Sequence, residues 1–150
     1  MSYQTVLDSV YNQATQVAGF TAANVGANDF DVLRSGQGSA CVITYDSFTQ
    51  QYDGMGETEL LVNWRFLIGI YVRASGRDAT SISADMNTVR QGFLAQFNSR
   101  SKLGGTANIR NALVTEGAQA DEPLTIGGVS FMYEVLRLQA GEDVSVTDND

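Results

Sequence analysis

The chain has 150 residues, of which 43% are hydrophobic and 17% are charged, and it carries a net charge of −8 at pH 7. This size and composition predict one globular domain with an ordinary apolar core. The negative charge argues against binding to nucleic-acid phosphates, which requires clustered Lys and Arg. The sequence has one cysteine and no histidine, which excludes an intrachain disulfide and removes the commonest metal ligand and general base.

Targeting and membrane signals are not found in the sequence. The first ten residues lack the basic region and apolar core of a signal peptide. Arg65 and Arg73 interrupt the longest apolar run, so no segment is long enough to cross a membrane. Cys41 lies in an apolar, strand-like run and is predicted to be a buried thiol. We therefore expect a soluble protein that is made and used in a reducing cytoplasm.

A helix is predicted over residues 3–17, because apolar side chains recur there at the i, i+3, i+4 and i+7 spacing. Ser2 is the predicted N-cap of this helix, and Gly19 marks its predicted end. Residues 20–38 are rich in Gly, Asn and Asp without helical or strand periodicity, which is typical of turns. The apolar stripe indicates that the helix packs one face on a core.

Two strands are predicted next, over residues 40–48 and 59–74, paired as an antiparallel hairpin. The second is the strongest signal in the sequence, because every even-numbered residue from Leu60 to Val72 is apolar. We predict that the sheet is built on this long strand and that Gly69 lets it bend or bulge. The polar loop over residues 49–58 is long for a compact domain, which favours a functional role for it.

A second helix is predicted over residues 81–98, with Thr80 as its N-cap. Its Met and Phe residues recur at helical spacing and indicate a core-facing stripe rather than a cofactor site. We expect this helix to lie across the apolar face of the sheet and to cover Trp64.

The last predicted elements are a strand over residues 109–116 and a hairpin with Gly127-Gly128 as its two-residue turn. The second arm of the hairpin has apolar residues on both faces. We predict that the face with Met132, Leu136 and Leu138 is uncovered in the monomer, which favours oligomerisation.

Together these elements predict an α+β fold. It has a mainly antiparallel sheet built on one long central strand, about residues 59–74, and two helices, about residues 3–17 and 81–98, packed on it. Residues 1–140 form the predicted single domain, and residues 141–150 are predicted to be an acidic, flexible C-terminal tail.

Three features carry a resemblance to a known family. They are the Asn63-Trp64-Arg65-Phe66 strand, the helix with Phe93 and Phe97, and the closing Gly-Gly-Val-Ser-Phe hairpin at residues 127–131. With this element order and length, the chain resembles the tail terminator proteins of long-tailed phages, such as the lambda minor tail protein U type. The resemblance covers roughly residues 3–140.

The resemblance implies a structural virion protein that closes into a homo-oligomeric ring, a hexamer, on the last ring of the tail tube. Such a ring stops tube polymerisation and presents a surface to the head connector or stopper protein. It is assembled in the host cytoplasm and lies at the head-proximal end of the tail. DNA passes through it without specific binding. Since the residues show no catalytic or ligand-binding pattern, we expect no enzymatic activity, no cofactor and no metal.

Ring closure requires a heterologous interface, in which two different patches of each protomer meet. The predicted interface residues are Gln50, Gln51, Tyr52, Asp53, Met132, Leu136 and Leu138. Acidic residues on the inner wall of the ring would repel DNA phosphates and let the genome slide. The predicted lumen-facing residues are Asp53, Glu57 and Glu59.

Two other interpretations remain open at the level of sequence. One is a different phage neck component, a head-completion protein or a tail tube protein, of which the last would form a stacked cylinder. The other is a small-molecule-binding or enzymatic α+β domain. The lack of histidine and of any paired nucleophile and base argues against an enzyme.

Overall fold

The structure, a computed structural model, describes residues 3–35, 38–52, 59–99, 103–105, 109–120 and 122–145. Within these ranges, two helices, α1 (Tyr3–Ala14) and α2 (Ala79–Asn98), accompany six strands and one short 3-10 helix (Phe30–Ser35). The strands are β1 (Val25–Ala27), β2 (Ser39–Tyr52), β3 (Glu59–Arg73), β4 (Ile109–Gln119), β5 (Leu124–Ile126) and β6 (Val129–Ser145). This arrangement confirms the predicted α+β fold.

The six strands form one sheet in the order β1-β2-β3-β6-β4, and β5 pairs with β6 beyond the end of β4. All strand pairs are antiparallel except β1 with β2, which is parallel. Strand β3 pairs with β6 along its entire length, from Glu59 opposite Ser145 to Arg73 opposite Phe131. The predicted long central strand is therefore confirmed, and its main partner is the slightly longer strand β6.

The bulge that was predicted as one possibility at Gly69 is not found. The pairing of β3 with both neighbours passes through Gly69 without a change of register. A Cβ atom at this position would lie 2.9 Å from the ring of Tyr71, which is closer than real contacts allow. Glycine is needed here because the Tyr71 ring folds over the backbone of its own strand. The register shifts are found in β2 and β4 instead.

Both helices lie on the face of the sheet that carries the even-numbered residues of β3. Helix α1 packs near β1 and β2, and α2 packs on β3 and β4. Phe66, Ile68 and Ile70 are fully buried beneath them. The Phe20 and Phe93 rings meet edge to face with centroids 4.9 Å apart, which ties the turn after α1 to α2.

The ends of the helices differ from the predicted ones. Helix α1 ends at Ala14, and turns stabilised by bonds such as Val17 N–H to Ala14 C=O, 3.2 Å, follow it. Helix α2 is capped by Asp78, whose carboxylate accepts a 2.8 Å hydrogen bond from Ser81 N–H, so the predicted Thr80 cap is wrong. The predicted Ser2 cap lies outside the described residues.

The predicted glycine hairpin is confirmed, but the predicted tail begins too early. Gly127 and Gly128 have φ angles of 59° and 79°, which a two-residue type I′ turn requires. Strand β6 then continues through Gly141 and Glu142, both of which are buried. Residues 141–145 are therefore part of the sheet, and residues 146–150 lie outside the described part of the chain.

A second, smaller core lies on the other face of the sheet. It contains Leu33, Ala40, Val42, Tyr71 and Phe131, covered by the 3-10 helix and the β5–β6 hairpin. The Tyr71 and Tyr133 rings stack there at a centroid distance of 5.3 Å. Burial raises the pKa of the Tyr71 phenol above its ordinary value, and Tyr133 raises it further. The phenol therefore stays neutral and suits an apolar environment.

Candidate assembly surfaces

Strand β2 is buried near its start and exposed near its end. Its first half is buried beneath α1, whereas its last residues are exposed. On the helix-facing side, Phe48 is 48% exposed and Tyr52 is 56% exposed. Phe48 lies opposite Trp64, and Tyr52 lies opposite Leu60. We call this surface, made by Phe48, Gln50, Tyr52, Leu60 and Trp64, the distal corner.

The main chain of the distal corner is also unpaired on its outer side. Strand β1 pairs with β2 only at residues 41–43, where Cys41 N–H donates to Asn24 C=O, 2.8 Å. Along a strand, the main-chain groups of successive residues point alternately toward one neighbour and the other, and the bulge at Asp46 shifts this alternation by one residue. The N–H and C=O groups of Phe48, Gln50 and Tyr52 therefore point away from β3. Among the described residues, no strand pairs with this part of β2. Such an edge is a template for another chain.

Aromatic rings hold the base of the distal corner in place. The Phe48 and Trp64 ring centroids are 5.5 Å apart, and those of Tyr45 and Trp64 are 6.3 Å apart. The Trp64 indole N–H donates a 3.2 Å hydrogen bond to Oε1 of Glu142, across strands β3 and β6. Glu142 is completely buried, and its Oε2 has no hydrogen-bond partner among the described residues. Among the described residues, the indole of Trp64 is therefore the hydrogen-bond donor that compensates the burial of this side chain.

The border at β4 is built differently. Strand β4 has register shifts at Ile109/Asn111 and at Val114/Glu116. The outward-pointing N–H of Val114 donates a 3.2 Å hydrogen bond to the side-chain oxygen of Asn98, the last residue of α2. Bulges and side-chain caps are devices that keep a sheet edge from pairing with another strand. The β4 border is therefore closed to strand addition near its middle.

A cavity of about 240 Å³ opens on the β4 side of the sheet, between the first half of α2 and the ends of β4 and β6. We call it the α2 cavity. It is lined by Ala79, Ile82, Ser83, Met86, Asn87, Arg90, Gln119 and Met132. Its walls are apolar at Ile82 and the two methionines, with polar groups at the rim. Such a mixture suits a side chain with an apolar body and a polar tip.

The Arg90 guanidinium is fixed in the wall of the α2 cavity. Its Nε donates to Oε2 of Glu134 at 2.7 Å, and its Nη1 donates to the side-chain oxygen of Asn87 at 3.1 Å. The Glu134 side chain is only 8% exposed, so this ion pair is largely shielded from solvent. The pair neutralises both charges and leaves a wall that is polar without net charge.

The face of the sheet opposite the helices is mixed in character beyond the second core. Arg137 pairs with Glu116 at 3.0 Å, and Arg110 pairs with Asp143 at 2.7 Å. Leu113 is 51% exposed between them. Exposed pairs of this kind contribute little to stability and are screened by salt.

The structure separates the predicted interface residues that it describes into three groups, and Asp53 lies outside the described residues. Gln50, Gln51 and Tyr52 are exposed at the distal corner or its edge, although in a strand rather than a loop. Met132 lines the α2 cavity. Leu136 and Leu138 are 2% and 1% exposed in the main core, so the prediction that they lie on an uncovered face is wrong. The helices cover the face of β6 on which Leu136 and Leu138 lie.

Of the predicted lumen-facing residues, Glu59 is exposed at the start of β3. Asp53 and Glu57 lie outside the described residues. The predicted buried thiol is confirmed, because Cys41 is fully buried, and burial raises the pKa of its thiol. The α2 cavity and the buried Glu142 were not predicted, since each depends on elements that are distant in sequence.

No protein-family model matches the chain, and no curated protein matches it either. Within the described ranges, no group of three or more His, Cys, Asp or Glu residues could hold a metal ion. Neither described helix combines the length and apolarity needed to span a bilayer.

Proposed function

We propose that this chain is a phage tail terminator, a structural protein that closes into a ring on the end of the tail tube. In this role the ring stops tube polymerisation and joins the tube to the head connector. The proposal rests on the resemblance of the sequence to such proteins. It is supported by one observation above all, the difference between the two borders of the sheet.

A ring needs a heterologous interface, because each protomer must offer one patch to its left neighbour and another to its right neighbour. The distal corner, with its exposed aromatic rings and unpaired strand edge, lies at the β2 border. The α2 cavity lies at the β4 border. An exposed aromatic surface at one border and a cavity at the other favour head-to-tail association over a two-fold dimer.

The size of the sheet also suits this role. Strands β3 and β6 pair over 15 residues in the centre of the sheet, which makes a stiff plate between the two borders. At about 3.3 Å per residue, the plate is about 50 Å long. A stiff protomer with its two contact surfaces on opposite borders fixes the angle between neighbours, which is what ring closure requires.

The test is the mass of the purified protein by light scattering, followed by negative-stain imaging and by addition of isolated tail tubes. We expect a closed ring near six protomers, free or on the ends of tubes, and tubes that no longer elongate. Stacked cylinders would assign the chain to tube proteins instead. A chain that forms no ring and leaves tube ends bare and growing would overturn the proposal.

A further inference from the structure

We draw no further inference here: the strongest candidate, the α2 cavity between the first half of α2 and the ends of β4 and β6, has apolar walls and a polar rim, but nothing in the structure shows what fills it.

Discussion

The two borders of this sheet differ in how well their main chain is protected from pairing with another strand. At the β4 border, two register shifts interrupt the edge and Asn98 occupies the outward N–H of Val114. At the β2 border, the edge is unpaired past Ile43 among the described residues, and Phe48 and Tyr52 are exposed beside it. The β4 edge is thus protected from other strands, whereas the β2 edge is left available.

The two borders therefore differ in whether another chain can pair with them. An exposed apolar edge strand is an aggregation hazard, which natural proteins normally block. One border of this protein is blocked, so exposure at the other border is not a general property of the fold. In the proposed ring, a neighbouring protomer would cover this open edge.

The largest expected effect concerns the hydrogen bond between Trp64 and Glu142, which lies at the base of the distal corner. Trp64→Phe removes the only hydrogen bond recorded for the buried Glu142 carboxylate among the described residues, which should lower the free energy of unfolding by about 2–3 kcal/mol. Chemical denaturation measures this loss. In a Glu142→Leu background no carboxylate remains to be stranded, and the same substitution should cost clearly less. Equal losses in both backgrounds would show that the hydrogen bond is not the cause.

The second prediction concerns a substitution that removes the protection of the β4 border. Asn98→Ala leaves the part-buried Val114 N–H without its acceptor and should cost about 1–2 kcal/mol of stability. It should also increase irreversible aggregation, measured by light scattering at constant temperature, because the middle of β4 becomes available for pairing. Gln91→Ala, at an exposed position of the same helix, is the control. An Asn98→Ala variant that is destabilised but aggregates no faster than the control would contradict the protective role.

The third prediction concerns a substitution that should block pairing at the β2 border. Gln50 is exposed, so Gln50→Lys should change the free energy of unfolding by no more than about 0.5 kcal/mol. A lysine at a strand edge disfavours pairing with another chain, and we expect weaker self-association at low salt. Sedimentation measures the association. The control is Thr125→Lys, exposed on the short strand β5 far from the open border. Association that is unaffected by lysine at position 50 would argue that this edge takes no part in assembly.

The elements with local periodicity could be predicted from the sequence. Both helices and β3 repeat their apolar residues at a fixed spacing, which the sequence displays directly. The Gly127-Gly128 turn could be predicted as well, because glycine readily adopts the positive φ angles that this turn has. The end of β6 was missed because residues 141–145 look like part of an acidic tail. Gly141 and Glu142 are buried because β6 pairs with β3 there. The residues that meet are distant in sequence, as shown by the hydrogen bond between Trp64 and Glu142, which lie 78 positions apart.

The candidate surfaces could be predicted only in part. Tyr52 was found because it stands in a polar stretch, where an aromatic residue has no local reason to be. Leu136 and Leu138 were assigned to the wrong face because β6 is apolar on both sides, and only tertiary packing decides which side the helices cover. The α2 cavity was not predicted at all, since residues of α2, β4 and β6 form it together.

The smallest expected effect concerns the end of α2 that forms one wall of the cavity. Hydrogen bonds from Ser81, first from its backbone N–H, lower the pKa of Asp78 below its ordinary value. A carboxylate with a lowered pKa in the folded state contributes stability above its unfolded pKa, and this contribution is lost as the pH falls through the folded pKa. Asp78→Ala should therefore lower stability at neutral pH, and the difference from wild type should shrink in acid. Denaturation curves from neutral to strongly acidic pH measure the difference, with Asp8→Ala, an exposed residue inside α1, as the control. A difference that stays constant over this range would mean that the charge of Asp78 does not hold the start of α2.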